Sequence, residues 1–351
     1  MNDTILNSRQ KNILKLLKEK KELSRREITK RISLEKPASR ITFIRDLNHL
    51  VELNLIKPIG KGRATAYVFK QTNSLLDYLD MDDYFELGPN ARGAKACFDN
   101  QVFENLSGLY TGKEIVLWEK SAQEFKKRTI QLDKTIYKRE LERFVIEFSW
   151  KSAQIEGNTY DLLETETLIK QKIEARGHSK EEAVMILNHK DAFDTILAQK
   201  ESFKRLNFSD LTQLHRVLTK GLRVTSGIRS QPVRITGTLY EPMSSRHDLE
   251  LATRQLIKHL NSTKFPPEKA LIAACMVAYI QPFADGNKRT ARMLSNAILL
   301  ANGYFPLSYR DVDVNDYRKA MILFYEQNNL YHFKRMFLEQ LQLAQENYFR
   351  V

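Results

Sequence analysis

Apolar residues recur at helical spacing over most of the chain, with polar residues between them and few glycines. Such a period predicts helices, because residues three and four apart share one helix face. From about Leu76 onward we expect a helical region, with helices near 134–156, 160–174, 180–199, 208–220, 247–260, 266–280, 287–302, 313–328 and 330–349. The predicted fold class is therefore mainly α.

One stretch, residues 227–243, breaks this helical pattern. Val233 and Ile235 alternate with the polar Arg234 and Thr236, and Gly237 follows them. A period of two predicts a strand, and a glycine between two such runs marks a turn. We therefore expect a small β-hairpin within the helical region.

The first 70 residues follow a third pattern, three short helices and then two strand-like runs around a basic, glycine-containing turn. The helices are expected over 8–19, 24–32 and 38–53, and the strand-like runs over 55–58 and 64–69. Ser24 and Glu27 have capping-box spacing, which places a helix start there. On the third helix, Ile41 is expected to face the core. This order resembles a winged helix-turn-helix over 1–70, followed by a junction from residue 71.

Positive charge is concentrated in this N-terminal fifth. Residues 1–70 hold seventeen Lys and Arg against seven Asp and Glu, in a chain whose net charge is +13. A basic module on a nearly neutral body indicates a polyanionic partner. In a winged helix, Arg40 and Arg45 of the third helix would enter a major groove, while Lys61 and Arg63 neutralise phosphates. DNA is the expected partner, and a solubilising basic face, dimerisation or protein docking stay open.

Composition narrows the class of protein further. The 351 residues are 42% hydrophobic and 28% charged, which is typical of a soluble globular protein. The start lacks a secretory signal, and the longest apolar run, 271–280, is far shorter than the roughly 20 residues of a membrane helix. Cys97 and Cys275 have no metal-ligand spacing. We expect a cytoplasmic protein with no membrane partner and no structural zinc.

The stretch with the most chemical content is 281–292, QPFADGNKRTAR. Asp285-Gly286-Asn287 predicts a tight turn that opens a helix, whose free amides and dipole make an anion site. Lys288, Arg289 and Arg292 add positive charge, and a nearby Asp can hold a Mg²⁺ ion that bridges phosphates. Together these features predict a nucleotide polyphosphate pocket. Each feature alone also fits an ordinary capped helix with surface arginines.

This stretch resembles the signature of the Fic (filamentation induced by cAMP) domain family, H-x-F-x-[DE]-G-N-[GK]-R-x-x-R, at every fixed position except the first. The resemblance implies a helical Fic fold over roughly 76–351, with residues 71–133 as junction and first helical part and 134–351 as the Fic domain. It implies AMP transfer from ATP to a Ser, Thr or Tyr hydroxyl of a protein. The implied roles are Mg²⁺ at Asp285, the anion hole at Gly286, Asn287 and Lys288, the β- and γ-phosphates at Arg289 and Arg292, and catalysis at position 281, Asn287 and Arg289.

Two further segments support the resemblance. Residues 152–158, SAQIEGN, resemble the family's inhibitory motif [ST]-x-x-x-E-[GN], on a helix expected at about 141–156. Ser152 and Glu156 lie one turn apart, and Gly157 is typical of a helix end. The resemblance implies that Glu156 pairs with Arg292 and excludes a productive γ-phosphate. Alone, Glu156 would be a solvated residue at a helix end.

The second segment is 227–243, which stands where the family has its flap. The resemblance implies that residues 233–237 dock a target segment by adding a strand. A surface hairpin without that function stays open.

Position 281 departs from the signature, because Gln281 stands where AMP-transferring members have a histidine base. A carboxamide cannot usefully accept a proton, and loss of a general base costs about 10²–10⁴-fold in rate. Phosphate positioning and electrostatics do not need the imidazole.

Two hypotheses follow from this departure. The first is an adenylyltransferase, autoinhibited through Glu156 and impaired by Gln281, whose partners are ATP and an unidentified protein target. The second is an ATP-binding, catalytically inactive transcriptional regulator that acts on DNA through residues 1–70. A third alternative is a winged module that recruits a protein target or a second copy, giving a homodimer.

Overall fold

The computed structural model describes residues 6–20, 22–33, 38–70 and 73–350, except the side chain of Arg63. Residues 71 and 72, the start of the expected junction, lie outside this described part. The chain forms two compact units that meet at the sequence boundary between Tyr78 and Leu79.

The first unit combines three helices with a small antiparallel sheet. The helices are α1 (Ser8–Glu19), α2 (Arg25–Ile32) and α3 (Arg40–Glu52), and the strands are β1 (Leu23–Ser24), β2 (Ile56–Ile59) and β3 (Ala66–Phe69). The sheet order is β1-β3-β2, with Ile56 opposite Phe69. Ser24 and Glu27 form the predicted capping box at the start of α2.

The core of this unit corrects one prediction for α3. Phe43, Leu47 and Leu50 are fully buried, whereas Ile41 is 64% exposed. The spacing of four and three residues between Phe43, Leu47 and Leu50 places these three on one face of the helix. Ile41 lies on the other face, toward solvent, with Arg45. The prediction that Ile41 faces the core is therefore wrong.

The second unit is almost wholly helical, and the mainly α fold class is confirmed. Every predicted helix is present, with ends within about three residues of the prediction, as is usual for helix boundaries. The helices are α4 (Met81–Glu86), α5 (Gly112–Gln131), α6 (Lys134–Ile155), α7 (Leu162–Gln171), α8 (Lys180–Ala198), α9 (Phe208–Leu218), α10 (Arg246–Ser262), α11 (Pro266–Ile280), α12 (Asn287–Ala301), α13 (Val314–Gln327) and α14 (Tyr331–Asn347).

Helices α11 and α12 form the centre of this unit. Residues 269–280 of α11 are all buried, as expected of a helix that lies inside the core. Helix α12 is also buried, yet it carries Arg289, Arg292 and Asn296 inside. Buried polar side chains need partners, so the start of α12 is a place where function is expected. Within the described residues, no helix is both long and apolar enough to cross a membrane.

Residues 227–243 differ from the predicted β-hairpin. The segment is an irregular loop, and its one strand-like pairing is a parallel bridge between Glu241 and Cys97. Two of its backbone carbonyls, those of Gln231 and Met243, bind the guanidinium of Arg229 rather than a partner strand. The hairpin prediction is therefore wrong, and we keep the name flap for residues 227–243.

Candidate functional site

One side chain closes the loop between α11 and α12. The Nδ2 atom of Asn287 donates to Oε1 of Gln281 and to the carbonyl of Phe283, both at 2.8 Å, and its Oδ1 accepts from the Phe283 amide at 2.9 Å. The two ends of the loop are left-handed, with φ of 52° at Gln281 and 79° at Gly286. The signature loop, residues 281–287, is thus held by its own polar groups.

His215 of α9 supports this loop from below. Its ring stacks on Phe283 with centroids 3.8 Å apart, and its Nε2 donates to the carbonyl of Asp285 at 2.9 Å. Burial lowers the pKa of His215, so the ring is neutral near pH 7. This histidine is fully buried and does not line the cavity described below, which makes it a structural residue rather than a base.

The two signature arginines lie buried beneath the start of α12. Arg289 pairs with Asp285 at 2.9 Å, and its side chain is 2% exposed. Arg292 is fully buried and donates through Nε to Oγ of Ser152 at 3.0 Å and through Nη1 to the hydroxyl of Tyr317 at 3.2 Å. Both guanidinium groups are therefore fixed before any ligand binds.

Glu156 brings a carboxylate to the same place. Its Oε1 lies 2.8 Å from Nη2 of Arg292, and its Oε2 lies 2.9 Å from Nζ of Lys288. Glu156 caps the C-terminal end of α6, where the helix dipole disfavours a negative charge, while the start of α12 favours one. Burial raises the pKa of Glu156, but the charges of Arg292 and Lys288 outweigh it and bring the pKa to about 2. At neutral pH this carboxylate is an anion held by the side chains of Lys288 and Arg292.

A cavity of about 490 Å³ opens beside this pair. Signature residues, the end of α6, the flap and α13 all contribute to its wall. The lining residues are Ile155, Glu156, Val233, Arg234, Ile235, Thr236, Gln281, Ala284, Asp285, Gly286, Asn287, Lys288, Tyr317, Arg318, Met321, Ile322 and Tyr325. The structure therefore brings together the three segments that the sequence analysis singled out separately.

Some predicted residues lie away from this cavity wall. Arg289, Arg292 and Ser152 lie beneath it, Gly157 is exposed at the end of α6, and the carbonyl of Gly237 accepts a hydrogen bond from Arg92. In the other unit, the predicted DNA contacts Arg40, Arg45 and Lys61 are exposed, and the side chain of Arg63 lies outside the described part.

Arg229 was missed by the sequence analysis. This arginine is 3% exposed, and its Nε donates to the carbonyl of Gln281 at 2.8 Å while its other nitrogens bind both ends of the flap. Burial lowers its pKa. No periodicity marks a single arginine that binds carbonyls far away in sequence, so only the folded chain reveals it.

Asp285 suits a magnesium site completed by a nucleotide. Its side chain is 68% exposed, lies on the cavity wall and gives one oxygen to Arg289. Among the described residues, no three His, Cys, Asp or Glu side chains gather closely enough to hold a metal by themselves. Mg²⁺ is usually bound by one or two carboxylates together with phosphates and water, so the donor set fits an ion that arrives with its nucleotide.

The fold and the site define a helical protein in which one of its own glutamates pairs with two cationic side chains near the start of a buried helix. Residues 205–299 match the model of the Fic/DOC family, so this part of the chain is similar to a Fic domain.

Two curated relatives are similar to this chain. The chain is 31% identical over 193 residues to a protein adenylyltransferase Fic of Nematostella vectensis, covering 51% of this chain and 43% of the relative. For the Drosophila melanogaster protein adenylyltransferase Fic, identity is 30% over 164 residues, with 45% and 33% covered. The chain thus spans less than half the length of these relatives.

The fold is similar to that of Fic-1 from C. elegans, with a TM-score of 0.56 at 20% identity over 67% of this chain and 70% of that one. A Fic family protein from Desulfovibrio desulfuricans gives a TM-score of 0.55 at 22% identity, with 68% and 74% covered. These structures establish the fold alone.

Proposed function

We propose that the second unit is a Fic-type adenylyltransferase domain that Glu156 holds in an inactive state and that Gln281 impairs. The observation that supports this most is the Glu156 carboxylate between Lys288 and Arg292. An anion site that already contains an anion fits a phosphate group of ATP, and the two anions exclude each other. Relatives named protein adenylyltransferase Fic support the reaction type.

The reaction transfers AMP to a Ser, Thr or Tyr hydroxyl of a protein target. The hydroxyl oxygen forms a bond to the α-phosphorus, the bond from that phosphorus to the pyrophosphate oxygen breaks, and the hydroxyl proton must leave. Arg289, Arg292 and the amides of the signature loop would bind the phosphates, and Asp285 would hold Mg²⁺, which neutralises phosphate charge. The flap would dock the target segment through residues 233–237.

Gln281 affects the step in which the target hydroxyl loses its proton. Its Oε1 accepts from Asn287, and its Nε2 donates to the carbonyl of Ala278 at 2.7 Å, so both polar atoms serve the loop itself. An amide also has no basic lone pair at neutral pH. Among the described residues, no histidine lines the cavity to replace it. Transfer is then expected at the residual rate that positioning and electrostatics supply.

The test uses ATP labelled in its α-phosphate and measures label on the protein itself together with released pyrophosphate. We expect wild type and Gln281→His to be slow, Glu156→Gly to be slightly faster, and Glu156→Gly with Gln281→His to exceed Glu156→Gly by about 10²–10⁴-fold, the contribution of a general base.

Arg292→Ala in the double variant is the matched control, because it keeps the new base and removes the phosphate contact. If the double variant transfers no AMP although it binds ATP, the transferase proposal fails.

A second candidate function is an ATP-binding regulator that acts on DNA. It is supported by the internally bonded Gln281 amide and by the exposed Arg40, Arg45 and Lys61 of the first unit, whose helices and β1-β3-β2 sheet fit a winged helix. We expect fluorescence anisotropy to detect binding to a labelled duplex that weakens as salt rises. The double substitution Arg40→Ala and Arg45→Ala should make the DNA affinity less dependent on salt concentration. The control substitution Arg139→Ala, on the other unit, should leave this dependence unchanged. Absence of binding at low salt would remove this candidate.

A further inference from the structure

A fully buried imidazole lies directly behind Arg292. His189 of α8 approaches Oγ of Ser152 to 2.9 Å through Nε2, and its Nδ1 lies 2.8 Å from the carbonyl of Met185. Both His189 and Ser152 are fully buried. Neither lines the cavity, and the signature and inhibitory motifs assign nothing to His189.

The partners of this imidazole determine its protonation. A carbonyl oxygen only accepts hydrogen bonds, so Nδ1 of His189 must carry a proton. Burial and the charge of Arg289 lower the pKa of His189 to about 3, which leaves Nε2 with a lone pair. Nε2 therefore accepts from Ser152.

The direction of the serine hydroxyl follows from this. Because the Ser152 proton points to His189, a lone pair of Oγ is available to Nε of Arg292, which donates to it at 3.0 Å. Nη2 of Arg292 also donates to the Ser152 carbonyl at 2.9 Å. These contacts do not involve Glu156 and remain when its carboxylate leaves.

We propose that His189 is a positioning residue for phosphate binding, which orients Ser152 and through it keeps the Arg292 guanidinium in place when Glu156 is displaced. This inference rests on the proposed function, in which Arg292 binds the terminal phosphate of ATP. It gives helix α6 two opposite effects, since Glu156 blocks the arginine while Ser152 prepares it. Removing only Glu156 then frees Arg292, whereas removing the whole end of α6 also takes away Ser152, which orients Arg292.

Nucleotide affinities test the proposal in a Glu156→Gly parent. Calorimetry with Mg²⁺ and either ATP or AMP measures how strongly each variant prefers the triphosphate. We expect His189→Phe and Ser152→Ala each to weaken ATP binding about 5- to 10-fold, the net effect of one hydrogen bond, with AMP binding unchanged within about 2-fold. The two changes together should add little, because they remove one chain of contacts.

Two variants separate positioning from general damage. His189→Gln offers an amide that donates and accepts, and should retain most of the ATP preference. His259→Leu removes another imidazole, which binds the Leu106 carbonyl at 2.8 Å, and should not change that preference. The proposal is overturned if His189→Phe weakens the binding of ATP and of AMP equally, or if it changes the affinity for neither nucleotide.

A spectroscopic measurement is independent of nucleotide binding. Long-range nitrogen–proton NMR spectra of the wild type at pH 7 should show His189 with its proton on Nδ1 and with Nε2 unprotonated. A proton on Nε2 overturns the inference even if ATP binds as proposed. A Glu156→Gly parent that binds no ATP overturns the proposed function, and the positioning role falls with it.

Discussion

The signature loop and the flap line the same cavity, yet the chain fixes them in opposite ways. Residues 281–287 hold one another through Asn287, and His215 and Arg229 bind backbone carbonyls of the loop from outside it. The flap is closed at its ends by Arg229, which binds the carbonyls of Gln231 and Met243. At its tip, the carbonyl of Gly237 accepts from Arg92, and the exposed Arg234 pairs with Glu241 at 3.1 Å. Val233 and Ile235 are half-buried, whereas Arg234 and Thr236 are exposed.

This difference shows what each segment contributes. A loop whose polar groups satisfy one another keeps its shape before a ligand arrives, and preorganised amides bind phosphate without a reorganisation cost. A flap whose backbone is held only at a few points keeps edge groups available to a partner chain. We therefore expect substitutions in the signature loop to change stability and ATP binding, and those at flap residues 233–237 to change neither strongly.

Gly286→Ala should have the largest effect. The left-handed backbone disfavours a Cβ, and that atom would lie 3.1 Å from Cγ2 of Thr219 and 3.3 Å from Nη2 of Arg289. We expect a loss of about 2–3 kcal/mol and a Tm lower by about 5 °C or more. Scanning calorimetry measures the Tm, and titration with ATP and Mg²⁺ should find binding lost.

Gly237→Ala is the matched substitution in the flap and should have the smaller effect. Its φ of 86° also disfavours a Cβ, but the nearest atom would be Cδ1 of Ile322 at 3.5 Å, an ordinary contact. We expect a loss of about 1 kcal/mol, a Tm lower by about 2–4 °C, and unchanged ATP affinity. Equal losses in both variants would contradict the distinction between the two segments.

The features of the fold and site that could be predicted from the sequence are those determined by residues close together in the chain. The helices follow from periodicity and capping residues, as at Ser24, and the glycine-asparagine turn marks the start of α12. The pairing of Glu156 with Arg292 was implied by a resemblance and could not come from spacing, since 136 positions separate the two residues.

The remaining features depend on tertiary contacts. Alternation of Val233 and Ile235 predicts a hairpin, but in the folded chain no second strand pairs with them and the flap ends bind Arg229. Ile41 was placed in the core because its spacing fits, while Phe43 sets the phase of α3. The sequence does not predict a role for His189, because that role depends on contacts with Ser152 and Arg292 that form only in the folded chain.

The central claim is that Glu156 and the phosphates of ATP compete for Arg292. Calorimetric titration with ATP and Mg²⁺ of wild type, Glu156→Gly and Glu156→Gly with Arg292→Ala tests it most directly. We expect Glu156→Gly to bind ATP at least about 10-fold more tightly than wild type, and the added Arg292→Ala to remove at least that gain, because a charged hydrogen bond of this kind is worth about 1.5–3 kcal/mol. Equal affinities of wild type and Glu156→Gly, or tight binding that survives the loss of Arg292, would contradict the account.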